Sequence, residues 1–268
     1  VSRWVGLLLG AVLLAGCATG GVSPAGRGSG ETPMPLLEQT PPEGAGKTLK
    51  ARLDLALAYL ERGRVDVALE ELDRARAIDA DHPLVFYVSG LTQLALGNTE
   101  QALAALQAAL ARAPNDPDLL FSLGSLLCER EERAKGLPLL MRAAANPYFP
   151  RRGRAYANAA WCAWQSGHEK DVPGWLDLAL TLQSDDFLVR MRLLQWAVRQ
   201  KRWDEAALHL ARLEQIAPDS PMTWWLAANV AHAKGDNREL ARWVDRLRRE
   251  APDRLETRQA ERGAWERW

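Results

Sequence analysis

The chain has 268 residues, with 34 Lys and Arg against 34 Asp and Glu, so its formal net charge is zero; 47% of residues are hydrophobic. That length permits one large or two ordinary domains with a sizeable core, and the apolar content excludes wholesale disorder. Without a basic excess, and with no run of like charge reaching five, nucleic acid is not expected as a partner. Three cysteines are too few for a disulfide scaffold. Ala and Leu dominate over β-branched and aromatic residues, which favours helix over sheet. No apolar run reaches the roughly 18 residues a membrane-spanning helix needs.

Residues 1–16 read as an address. Arg3 gives a positive start, Trp4 to Leu14 is an apolar run, and Leu14-Ala15-Gly16-Cys17 places small residues directly before a cysteine. This resembles the lipobox of bacterial lipoproteins, which implies lipidation of Cys17 and cleavage before it. Multiple acyl chains on one residue give stable anchoring. Ala18, where an Asp would signal inner-membrane retention, implies the periplasmic face of the outer membrane. A plain secreted protein, or a buried helix with an incidental cysteine, is the alternative. Residues 17–48 then read as the lipidated cysteine and a flexible tether. Between Ala18 and Gly46, seven of 29 residues are Gly and five are Pro, with no apolar period. Such a coil spans about 30 Å and holds a domain just off a membrane surface.

From Leu49 onward the sequence repeats every 34 residues. Position 8 of each unit reads Ala56, Gly90, Gly124, Ala160, Leu194 and Ala228. Position 20 reads Ala68, Ala102, Gly136, Val172, Ala206 and Leu240, and position 27 reads Ala75, Ala109, Ala143, Ala179, Leu213 and Leu247. Thirteen of these eighteen sites are Ala or Gly, where chance predicts about four. The small residues allow two helices to cross closely, and the period matches the tetratricopeptide repeat (TPR). The expected fold is therefore all-α: a right-handed TPR α-solenoid of six helix-turn-helix units, with helices A and B in each. The unit boundaries are 49–82, 83–116, 117–150, 153–186, 187–220 and 221–254, followed by a capping helix or tail over 255–268. One junction breaks frame by two residues, at Asn146-Pro147-Tyr148-Phe149-Pro150-Arg151-Arg152.

Helix-A positions 2, 5, 9 and 12 are expected to line a concave protein-binding groove. They supply Leu53, Leu57 and Leu60, then Tyr87, Leu91 and Leu94, then Phe121, and later Trp161, Trp164, Met191 and Trp225. Such a groove is apolar and aromatic and suits an amphipathic or extended peptide, unless some of these side chains only pack against neighbouring units. Cys128 and Cys162 lie in the middle of adjacent A helices, close enough to form a disulfide; two buried free thiols are the alternative.

No catalytic, cofactor-binding or metal-binding residues are expected. His82, His168, His209 and His232 lack ligand spacing, and no nucleophile motif occurs. Pro41-Pro42-Glu43-Gly44-Ala45-Gly46-Lys47-Thr48 imitates a P-loop but has Pro where Gly is needed and no preceding strand. No small-molecule substrate is implied.

Lipobox, tether and six units together resemble the type IV pilus pilotin family (PilF/PilW). The specific part is Phe121-Ser122-Leu123-Gly124-Ser125-Leu126-Leu127-Cys128, then Asn146-Pro147-Tyr148-Phe149-Pro150, then Asn158-Ala159-Ala160-Trp161-Cys162. Gly124, Cys128, Asn146, Pro147, Pro150, Asn158 and Cys162 match the family pattern, whereas Ser122, Leu123, Phe149 and Ala160 depart from it. The resemblance implies a non-enzymatic lipoprotein that binds the pilus secretin and promotes its outer-membrane localisation and multimerisation; from the groove reading, Tyr87, Leu91 and Phe121 are the expected contacts, although units one and two match only as generic repeats. The alternative is a periplasmic scaffold for cell-wall or envelope enzymes.

Overall fold

The computed structural model describes residues 34–265; Cys17, the expected signal segment 1–16 and the first part of the tether lie outside them. The described residues are helical apart from turns. Twelve helices form six antiparallel pairs: α1 (Ala45–Glu61) with α2 (Val65–Ile78), α3 (Pro83–Ala95) with α4 (Thr99–Arg112), α5 (Pro117–Glu129) with α6 (Arg133–Ala145), α7 (Arg152–Gln165) with α8 (Val172–Leu182), α9 (Phe187–Arg199) with α10 (Trp203–Ile216), and α11 (Pro221–Lys234) with α12 (Asn237–Glu250). A short α13 (Leu255–Glu261) packs on α11 and α12. The fold is a TPR α-solenoid.

Local chemistry sets the ends of these helices. Asp116, Asp186 and Asp236 cap α5, α9 and α12 by accepting backbone N–H groups of the first turn. The Nδ1 of His82 does the same for α3, accepting from Leu84 N at 3.2 Å. Pro83, Pro117 and Pro221 occupy the first helical position, where a missing N–H costs nothing. Each A helix ends in a residue of positive φ at the fifteenth position of its unit. Gly63, Gly97, Gly167 and Gly235 supply it in four units, and Glu131 (φ 65°) and Lys201 (φ 56°) in the other two. A side chain there is strained, because its Cβ crowds the following carbonyl.

Of the eighteen sites at positions 8, 20 and 27, all but Leu240 are buried. At the third unit's crossing, a Cβ added to Gly136 would lie 2.6 Å from Cys128 Sγ and 2.6 Å from the Gly124 carbonyl oxygen. The backbones therefore touch there, and only glycine fits.

Two features differ from expectation. α1 begins at Ala45, four residues before Leu49, so Gly46-Lys47-Thr48 form a first helical turn. The tether is also not flexible throughout. Leu36–Glu38 form a 3-10 turn, Pro35 is buried, and Leu36 and Leu37 pack against the core of the first three units. Composition hid this because an apolar pair between prolines has no helical or strand period.

Candidate protein-binding groove

The A helices of the first three units, with the start of α7, enclose a cavity of about 500 Å³. Leu57 and Leu60 come from α1, Tyr87 and Leu91 from α3, Asp118 from α5, and Pro150, Arg151 and Arg154 from the junction and α7; Leu37 and Glu38 of the 3-10 turn close its side. Tyr87 is 2% exposed, and its phenol oxygen accepts a hydrogen bond from Ser122 Oγ at 3.3 Å. Burial pushes its pKa up, opposed by the nearby Arg151 guanidinium.

Arg151 is the electrostatic centre of this region. It is paired with the buried Asp118 carboxylate, and its guanidinium lies 5.5 Å and 5.4 Å from the ring centroids of Phe121 and Phe149. Burial raises the Asp118 pKa against the attraction of Arg151, and Glu38 raises it further. Arg154 Nε donates to Asp186 Oδ2 at 2.6 Å, so it joins unit four to the cap of α9.

Beyond the cavity the same face is polar. Asn158 Nδ2 donates to Ser125 Oγ at 2.9 Å, Arg192 Nε donates to Asn158 Oδ1 at 3.3 Å, and Arg192 Nη1 donates to Gln195 Oε1 at 2.9 Å. This buried ladder joins the A helices of units three, four and five. The Arg192 guanidinium lies 4.3 Å from the centroid of the half-buried Trp161.

The structure therefore corrects the expectation of a groove apolar and aromatic throughout. Leu57, Tyr87 and Leu91 come together in the cavity, Leu94 packs half-buried against the same core, and Phe121 sits beneath Arg151. Trp164 and Trp225 do not line this cavity; each is buried under a neighbouring tryptophan. Trp164 stacks on Trp196 of the next unit, centroids 5.4 Å apart, and Trp225 stacks on Trp265 of the tail at 5.2 Å. Asp118 and Arg154 also line the cavity; both occupy helix-A position 2, which faces this side, but apolar and aromatic patterning gives no signal for them.

Cys128 and Cys162 form a disulfide, Cα atoms 5.5 Å apart, between α5 and α7. It lies beside the junction that breaks frame. There the Asn146 side chain accepts from Tyr148 N at 2.9 Å, Phe149 N donates to Asn146 O at 3.2 Å, and Phe149 is buried among Leu120, Ala143, Ala144 and Ala155. The two extra residues lay α7 against α6 far more extensively than any other A helix lies against the preceding B helix. Among the described residues no group of three or more His, Cys, Asp or Glu side chains could hold a metal ion, and no helix is long and apolar enough to cross a membrane.

These features define a class, a repeat solenoid presenting a groove. A family model for the tetratricopeptide repeat matches residues 46–83 and 87–148. Among solved structures, PilF of Pseudomonas aeruginosa superposes with a TM-score of 0.61 at 19% identity, over 82% of this chain and 100% of that one. PilW, described as a widely conserved type IV pilus biogenesis factor, gives 0.63 at 18% identity over 80% and 99%. A human FK506-binding protein-like protein is 30% identical over 102 residues, 38% of this chain but only 29% of that protein's length. In fold, the chain is a tetratricopeptide-repeat solenoid similar to PilF and PilW.

Proposed function

We propose that the protein is a lipid-anchored outer-membrane pilotin for type IV pilus biogenesis. In this reading Cys17 carries the lipid, the periplasmic solenoid binds the pilus secretin through its groove, and anchoring raises the local concentration at which secretin multimers assemble. The observation that carries the reading is the gathering of the family-matching residues at one place. Cys128, Asn146, Asn158 and Cys162 each make a contact at the junction between units three and four (a disulfide, a turn and a buried hydrogen bond), and Gly124 forms the helix crossing within unit three beside it. The lipobox sequence at Cys17 and the fold likeness to PilF and PilW add support.

The test is the level of heat-resistant secretin multimers in outer-membrane fractions of wild type, a deletion strain, Cys17→Ser and Leu57→Asp/Leu91→Asp. The expected result is loss of multimers, or their shift to the inner membrane, in all three mutants. Unchanged multimers in the deletion strain would remove the pilotin reading and leave a general envelope scaffold.

A further inference from the structure

A segment of the chain itself, residues 35–38, lies across the apolar face of the first units as a strap and forms one wall of the groove. Leu36 N donates to Asp116 Oδ2 at 2.6 Å, while the other oxygen of that carboxylate caps α5 by accepting from Leu119 N at 3.0 Å. One carboxylate thus serves two masters: it holds its own helix and captures a backbone N–H from a segment 80 residues earlier in the chain. Leu36 and Leu37 pack on the apolar core beneath, Leu37 and Glu38 line the cavity, and Glu38 faces the Asp118–Arg151 pair. Leu36 also borders a second cavity of about 350 Å³ between the strap and the first unit. The contact has two parts of peptide recognition: a backbone amide on a fixed acceptor and an apolar pair on a leucine-lined surface. Both flanking cavities leave the strap loosely packed at its edges, as a displaceable segment would be.

We propose that residues 35–38 are an internal occupant of the apolar A-helix face, standing where a partner docks, and that the partner segment has the same chemistry: a short turn bearing two adjacent apolar residues. The inference deepens the secretin reading and rests on it only for the identity of the partner protein. Binding of the partner then requires release of the strap, so the free chain binds more weakly than the groove alone allows.

The test measures binding of a fluorescent peptide, Met-Pro-Leu-Leu-Glu-Gln-Thr (residues 34–40), to the full chain by anisotropy. Leu36→Asp/Leu37→Asp releases the strap and is expected to bind the peptide at least tenfold more tightly than wild type. Adding Leu91→Asp to that variant should return affinity to the wild-type level, and a peptide with both leucines replaced by serine should not bind. Asp116→Asn keeps the helix cap and weakens only the grip on Leu36 N, so it should also tighten peptide binding, by a smaller factor. Circular dichroism checks folding of each variant. If the folded double variant binds no more tightly than wild type, the strap is a structural cap and the proposal is overturned. If the double variant loses its helical signal, Asp116→Asn decides, and unchanged binding there overturns the proposal equally. Secretin multimers are read separately: a strap variant that gains peptide binding in a chain whose deletion leaves multimers intact keeps this proposal and removes the pilotin reading.

Discussion

The disulfide offers the sharpest test of how this solenoid is held together. Replacing Cys128 and Cys162 by Ala in a Cys17→Ser background removes the cross-link and leaves no other thiol, since the chain has three cysteines. The bridge closes a loop with a sequence separation of 34. The chain-entropy relation then gives about 4 kcal/mol of stabilisation through the unfolded state. Unfolding roughly 230 residues carries an entropy near 0.5 kcal/mol/K, so the melting temperature should fall by about 8 °C. The location adds to this. Both cysteines are fully buried, α7 has turned toward α6, and the direct packing of α5 on α7 is thin. The cross-link thus adds a covalent tie to a thin contact between consecutive A helices. The assay is thermal denaturation followed by circular dichroism, with hydrogen exchange to locate the loss in α5–α8. A drop of less than 2 °C would refute the reasoning. So would two titratable thiols in the denatured Cys17→Ser protein.

Three further outcomes follow from particular residues. Gly136→Ala forces a Cβ against the Cys128 sulfur and the Gly124 carbonyl, neither of which can move, and should cost about 2–3 kcal/mol in chemical denaturation. Gly174→Ala, in α8 with nothing within 4 Å, should instead stabilise by about 0.5–1 kcal/mol, and equal effects at the two sites would refute the packing argument. Glu131→Gly and Lys201→Gly, both at positive φ, should each raise stability by about 0.5–1 kcal/mol by the same measurement, and a loss would show that their side chains outweigh the strain. Burial lowers the pKa of His82 and of His209, the latter with help from Arg190, below the ordinary 6.5. The unfolded chain therefore binds more protons as pH drops, so the stability contributed by these neutral imidazoles is full above about pH 6.5 and lost as pH falls through the folded values. Melting temperature from pH 7.5 to 5.5 should fall more steeply in wild type than in His82→Asn/His209→Gln, where parallel curves would refute it.

Much of the fold was legible because a solenoid writes its packing into the sequence at a fixed spacing. Ala56, Gly90 and Gly124 recur at one position because each meets the same crossing, and Gly63, Gly97, Gly167 and Gly235 recur because each ends the same helix. Larger residues at equivalent sites, such as Leu194 and Leu213, are buried just as fully, so the period records burial more faithfully than size. The groove was less legible because a groove position is defined by what does not cover it. Trp164 and Trp225 satisfy the helical spacing for an open face, yet Trp196 and Trp265 stack on them, and neither neighbour belongs to the same helix. The strap was illegible for a related reason: Leu36 and Leu37 sit in Pro/Gly sequence, and the Leu36 N–H finds its acceptor in the side chain of Asp116, 80 residues later.

These covering elements divide the A-helix face into regions of different character. At the N-terminal end an apolar floor lies under the strap, in the middle the Ser125–Asn158–Arg192–Gln195 ladder consumes its own hydrogen-bonding capacity, and at the C-terminal end Trp265 lies on Trp225 and His232. A buried and satisfied ladder fixes the angle between units but offers a partner little that water does not already provide. Because each unit contacts mainly its neighbours, substitutions in the ladder should perturb the middle units while leaving the first cavity intact. In the proposed reading a docking segment binds at units one to three, where Leu57, Tyr87 and Leu91 line one cavity with Arg151, and the disulfide between units three and four lies beside that junction.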